Sequence, residues 1–294
     1  MNILFIGNSL LLTSLKKLPR ILKKVSSDDV YMKLVFIPAA KIYTYVKKFD
    51  ESMKSHFVMK DKPNRIWTYV KNFPIWSQEL NPDISIKDVV SERKWDIIIV
   101  CGHSGHYSSW RYDLYKDTYK QFFDLIRQYS DADIYWTETF APLFVNEFFF
   151  HVKKWKEPHI PDTREEVIDL LDEADMKICQ DNNVKPFRLR TYYNEFSKLF
   201  PGYRHLMYDY IHPDKGLGEY FCTGIIYTLF LKQIYKMDID QLHYVYNSQK
   251  YRYMDVDDDK NKYETDIVCL PVNEETKKLA DDFIKNIIEK DIRN

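Results

Sequence analysis

Four short apolar runs, Ile3 to Ile6, Tyr31 to Ile37, Trp95 to Cys101 and Ile134 to Thr137, alternate along the chain with amphipathic stretches. They are rich in β-branched and aromatic residues and bounded by polar turns, which is the pattern of strands buried on both faces. Between them, apolar residues recur at steps of three and four. Leu11, Leu15, Leu18, Leu22 and Val25 do so early in the chain, and Pro19 within that series predicts a kink or a helix that starts just before it. Helices are also predicted over Tyr115 to Tyr129, Thr163 to Asp181 (Val167, Leu170, Leu171, Ala174 and Ile178 on one face), Gly218 to Tyr235 and Glu274 to Lys290. Such alternation builds a parallel sheet covered on both sides, a three-layer α/β/α sandwich. Chemistry in these sheets collects at the carboxyl ends of the strands, so Ser9, the loop after Val100 and the segment after Thr137 share one edge.

The chain has 294 residues, 45% of them hydrophobic, enough to bury a full core in one domain with long insertions. The expected insertions lie near residues 40–93, 141–162 and 237–273. They are too long for ordinary connections of about 4–6 residues, and insertions at an active edge often shape substrate pockets. Lys and Arg total 43 against 44 Asp and Glu, which gives no global reason to expect a nucleic-acid partner. Cys101, Cys179, Cys222 and Cys269 have no paired short spacing, so free thiols in a reducing compartment are expected. The chain opens directly on a strand-like segment and holds no apolar run near the roughly 20 residues that span a bilayer, which predicts a soluble, cytoplasmic protein without a membrane partner.

Two short phrases carry the chemistry. Gly7-Asn8-Ser9-Leu10 presents a serine hydroxyl where the first strand turns toward a helix, with backbone N–H groups facing an anion formed beside it. Asn8 and Ser9 are equally the residue types that cap a helix, and this phrase alone leaves both readings open. Asp209-Tyr210-Ile211-His212, closed by Pro213, brings a carboxylate to one imidazole nitrogen and leaves the other pointing outward. That pairing selects the useful tautomer and stabilises an imidazolium formed during attack. A serine, a histidine base and an orienting carboxylate are the parts of a serine hydrolase.

On these phrases the chain resembles the SGNH/GDSL hydrolase superfamily, and within it an uncharacterised bacterial branch whose first block reads Gly-Asn-Ser. The likeness continues through Leu18-Pro19-Arg20-Ile21-Leu22, Trp95-Asp96 with Ile97 to Val100, Ile134-Tyr135-Trp136 with Thr137 to Ala141, and Gly218-Glu219-Tyr220 after the Asp-x-x-His block. The resemblance implies the SGNH fold with its flavodoxin-like parallel sheet, and Ser9 as nucleophile, His212 as base and Asp209 as its support. It also implies an oxyanion hole from the serine N–H, a second-block glycine and a third-block asparagine. Here the second block reads Ile37-Pro38-Ala39-Ala40, so the N–H of Ala39 or Ala40 takes the glycine's place. The third block is Gly102-His103-Ser104-Gly105-His106 and has no asparagine, so Gly102, His103 or Ser104 is the candidate third donor. Losing one such donor typically costs about 10²–10³ in rate.

The same residues admit other readings. His103 and His106 are spaced for a metal only on a helix; Gly105 makes a loop the expectation, and neither a metal nor another cofactor is expected. Asp255 and Asp257-Asp258-Asp259 lack the alternating ligands, glycine and terminal glutamate of a calcium loop and read as a solvated turn. Phe148-Phe149-Phe150 with Trp155 reads as a lid or a partner surface. Tyr107, Trp110, Tyr112, Trp136 and Phe140 gather near the active edge, where aromatic faces permit stacking on a sugar. The expected substrate is a small-molecule or oligosaccharide ester, with a carbohydrate O-acetyl ester leading. An acyltransferase to a sugar hydroxyl and a non-catalytic carbohydrate-binding protein on the same fold are the alternatives.

Overall fold

Hydrophobic strands that alternate with helices pair in parallel. The computed structural model describes all residues except 23–29, 56–61, 71–74, 104–108, 144–160, 210, 257–261 and 294. Among these, β1 (Asn2–Gly7), β2 (Tyr31–Phe36), β3 (Arg65–Val70), β4 (Ile75–Leu80), β5 (Ile97–Cys101), β6 (Asp133–Thr137) and β7 (Lys185–Phe187) form one sheet, ordered β4-β3-β2-β1-β5-β6-β7. The five strands β2-β1-β5-β6-β7 are parallel and follow the flavodoxin-like order, with β1 at the point where the winding reverses. β3 and β4 add an antiparallel pair at one edge, so part of the expected 40–93 insertion belongs to the sheet itself.

The helices are α1 (Ser9–Leu15), α2 (Leu18–Ile21), α3 (Ile42–Lys47), α4 (Ile86–Ser91), α5 (Ser109–Arg127), α6 (Arg164–Asn182), α7 (Leu189–Ser197), α8 (Leu217–Ile226), α9 (Lys232–Tyr235) and α10 (Glu274–Arg293). Pro19 stands in the first turn of α2, where its missing N–H costs no bond, so the early apolar series is two helices and not one kinked helix. The stretch from Leu217 to Tyr235 stays helical but passes through a π-turn over Tyr227–Leu231. A two-stranded antiparallel hairpin, β8 (Gln249–Val256) with β9 (Lys262–Cys269), occupies the expected insertion near 237–273. Of the 141–162 insertion, residues 144–160 lie outside the described residues, as do Phe148, Phe149, Phe150, Trp155, Asp257, Asp258 and Asp259.

Backbone contacts divide the chain into two compact units, Met1–Leu12 with Ser26–Arg190, and Thr13–Val25 with Thr191–Asn294. In the first, Leu4, Ile6, Val35, Ile98, Val100 and Trp136 turn one sheet face onto Tyr45, Tyr119, Phe122, Phe123, Leu171 and Ile178 of α3, α5 and α6. The alternate residues Ile3, Phe5, Leu34 and Ile99 are buried as completely, as expected for a sheet hidden on both sides. Below the carboxyl end of β6, Arg190 is fully buried. It donates to Asp172 at 2.5 Å, to Asp175 at 2.7 Å and to the Thr139 carbonyl at 2.9 Å, while Trp136 Nε1 donates to Asp175 at 2.6 Å. Burial pushes the Asp175 carboxyl up to about 7 against the opposing pull of Arg190.

In the second unit α8 packs on α10. Phe196 stacks on Phe221 with centroids 4.0 Å apart, and Phe283 stands 5.3 Å from Phe196. A Cβ on Gly224 would come within 2.6 Å of Ile284 Cδ1, so the glycine permits the close helix crossing.

Candidate active site

The first block is built around Asn8, which is almost fully buried. Its Oδ1 accepts the Leu10 N–H at 3.0 Å and its carbonyl accepts the Leu12 N–H at 3.1 Å, the behaviour of an N-cap residue. The same side chain donates through Nδ2 to the Gly102 carbonyl at 2.8 Å and to the Ala40 carbonyl at 3.2 Å. One amide thus fastens the first, second and third blocks together. Ser9 is the first residue of α1 and partly exposed; the capping role falls to Asn8. Gly7 serves close approach: an added Cβ would meet Leu11 Cδ2 at 2.6 Å and Cys101 Cβ at 3.3 Å.

The second block is a tight turn. Ala40 N–H donates to the Ile37 carbonyl at 3.2 Å, Pro38 sits at the second position, and Ala39 takes a φ of 52° at the third. Proline followed by a positive φ is the pattern of a type II turn, whose third position favours glycine. Ala39 therefore holds a backbone conformation that favours glycine. The Ala40 N–H is occupied by the turn, which corrects its candidacy as an oxyanion donor. The Ala39 N–H has no partner among the described residues.

In the third block Gly102 is buried, and the fully buried Tyr45 donates through its hydroxyl to the Cys101 carbonyl at 2.9 Å. Sequence reading missed Tyr45, because a tyrosine inside an amphipathic helix carries no signal of where its hydroxyl lands. His103 is partly exposed; Ser104, Gly105 and His106 lie outside the described residues. No group of His, Cys, Asp and Glu spaced for a metal ion occurs among the described residues.

The aromatic residues near this edge are mostly core. Trp136 is fully buried between Tyr119 and Phe123, Phe140 is 1% exposed, and Tyr112 is buried with its hydroxyl on Asp181 at 2.5 Å. These three cannot stack on a sugar, which corrects that reading of them. Tyr107 lies outside the described residues, and of Trp110 only the backbone is described.

In the second unit the Asp209-to-His212 phrase is a closed loop. Tyr208 N–H donates to the His212 carbonyl at 2.9 Å, and Met207 bridges to Pro213. Asp209 Oδ1 accepts the N–H groups of Ile211 at 2.8 Å and His212 at 2.7 Å, while Oδ2 lies 2.8 Å from His212 Nδ1. With Nδ1 donating to the carboxylate, Nε2 is the basic nitrogen. Burial raises the Asp209 carboxyl, but the hydrogen bond and charge of His212 and the two backbone N–H groups outweigh it and hold it below its ordinary value. The His212 side chain keeps 23% of its surface exposed.

Asp214 lies two residues further on. Its Oδ1 accepts the N–H groups of Gly216 at 2.7 Å and Gly218 at 3.0 Å, fixing the entry to α8. Burial pushes its carboxyl up to about 7 despite these bonds. An Asp just ahead of Gly-Leu-Gly at a predicted helix start is the signal that could have found it. Next to it, Lys17 and Glu219 form an ion pair at 3.0 Å, both nearly buried.

No protein-family model matches the chain, and no curated protein matches its sequence. Among solved structures it is similar to a DUF4886 family protein from Bacteroides uniformis, at 16% identity and a TM-score of 0.67, over 98% of this chain and 94% of that one. A candidate SGNH hydrolase from Slackia heliotrinireducens matches at 13% identity and a TM-score of 0.47, over 76% of this chain and 95% of that one. A lipase/acylhydrolase from Enterococcus faecalis matches at 11% identity and a TM-score of 0.40, over 82% of this chain and 97% of that one. The chain shares the fold of the DUF4886 protein over nearly its whole length.

Proposed function

We propose that this chain is a serine-dependent hydrolase of carboxylic esters. The observation that carries the reading is the Asp209–His212 pair, whose carboxylate is fixed by two backbone N–H groups and orients the imidazole through Nδ1. The fold and the first-block geometry support it: Ser9 follows the carboxyl end of β1, and Asn8 holds the second and third blocks beside it. In this reading Ser9 Oγ attacks the acyl carbon while His212 Nε2 takes its proton. Asp209 stabilises the imidazolium, and the proton returns to the leaving alkoxide as the C–O bond breaks. Water, deprotonated by the same imidazole, then attacks the acyl-serine and releases the acid.

The oxyanion is held by the Ser9 and Ala39 N–H groups, with the third donor drawn from Gly102, His103 or Ser104. For the substrate we propose an O-acetyl ester of a carbohydrate; the likeness of the sequence blocks to SGNH hydrolases supports it. The test is turnover of 4-nitrophenyl acetate together with labelling by a fluorophosphonate probe. Wild type is expected to label stoichiometrically at Ser9. Ser9→Ala and His212→Ala are expected to lose activity by at least about 10³-fold. Equal rates for wild type and Ser9→Ala, or no label at Ser9, would overturn the reading.

A further inference from the structure

The surroundings of the Asp209–His212 loop are electrically lopsided. Thr13 to Leu22 carries Lys16, Lys17 and Arg20 and no acidic residue. Within the second unit this segment is tied to α8, where Thr223 Oγ1 donates to the Ser14 carbonyl at 2.8 Å and Lys17 pairs with Glu219. On the loop, Lys215 is half-buried with its Nζ 4.2 Å from the centre of the Tyr208 ring. The neighbouring carboxylates point inward and are compensated: Asp209 by His212 and two N–H groups, Asp214 by two N–H groups, Glu219 by Lys17. All three are at most 8% exposed, whereas Lys16 and Arg20 are exposed. Burial, joined by the charge of Lys16, holds the Lys215 ammonium below its ordinary range. A partly desolvated cation gains from an arriving anion more than a fully hydrated one does.

We infer that the ester processed at this site carries an anionic group, a carboxylate or a phosphate, on its non-reacting part, and that Lys215 with Lys16 receives it beside the Asp209–His212 pair. The inference rests on the hydrolase reading and narrows its substrate class to acidic esters. Lys215 is in this reading a specificity-determining residue.

The experiment compares kcat/KM for acetate release from acetylated glucose, acetylated glucuronic acid and acetylated glucose 6-phosphate, with 4-nitrophenyl acetate as a control. Wild type is expected to prefer one or both acidic sugars over acetylated glucose by about tenfold or more, as charged hydrogen bonds allow. The preference is expected to reside in KM, to shrink with added salt, to collapse toward unity in Lys215→Gln, and to be rescued by Lys215→Arg. The uronate and phosphate arms say which anion is received. Ser9-dependent turnover of 4-nitrophenyl acetate without any acidic preference, or an equal loss on all three sugars in Lys215→Gln, overturns the charge inference and leaves the hydrolase reading standing. Absence of Ser9-dependent turnover on every ester removes the hydrolase reading and this inference with it.

Discussion

Asn8 does at this position what an aspartate cannot. The family resemblance casts it as a substitute for a structural carboxylate, but both of its Nδ2 bonds are donations to backbone carbonyls, at Gly102 and Ala40. A carboxylate there would face two carbonyl oxygens in a buried setting. Asn8→Asp is therefore expected to lose about 1–3 kcal/mol in urea unfolding at pH 7. The loss should shrink toward pH 4, where protonation restores one donor; a variant as stable as wild type at pH 7 would contradict the assignment. Asn8→Ala removes the cap as well and is expected to cost about 2–4 kcal/mol. The block itself was legible from its residue types, and so was the Asp209–His212 offset. Which atoms of Asn8 donate was not, because that depends on where two distant carbonyls arrive. Likewise Ala39 reads as a departure from glycine, and only its φ of 52° reveals that it takes a conformation glycine favours.

At the level of elements, buried carboxylates set the pH behaviour. The free-acid forms of Asp175 and Asp214 are favoured on folding, since both carboxyls are raised to about 7 from ordinary values near 4. A group raised in this way contributes fully below its unfolded pKa and loses that contribution as pH climbs through the folded one. Stability is thus expected to fall between about pH 4 and pH 7. Asp214→Asn keeps an acceptor for Gly216 and Gly218 and is expected to flatten that fall in denaturant titrations across the range. Breaking the Arg190 cluster is a harsher test: Arg190→Met leaves Asp175 buried beside Trp136 without its cation and is expected to cost about 3–5 kcal/mol. The long helices and parallel strands were readable from their periodicity. β4 was not, because Ile75, Ser77, Gln78, Glu79 and Leu80 are all exposed and no alternation marks a buried face. At three residues, β7 is too short to make a pattern.

For the molecule as a whole, the four thiols make a probe of unfolding. Cys101, Cys179, Cys222 and Cys269 are all buried, and burial raises each above the ordinary thiol range, Cys179 to about 12 and Cys269 to about 11. Ellman's reagent is expected to titrate none of them in the folded protein at pH 8 and four in denaturant; prompt reaction of the native protein would show that a thiol is reachable. No helix among the described residues is long and apolar enough to cross a membrane. That the central strands pair in parallel followed from the alternation in the sequence, whereas the division into two backbone units did not, since no linker composition marks it. The added antiparallel pair has an effect beyond its own strands. Without it β2 would be the outermost strand and its terminal turn would hang from a rim free to fray; with β3 laced along it, the peptide bearing Ala39 is suspended from an interior plank.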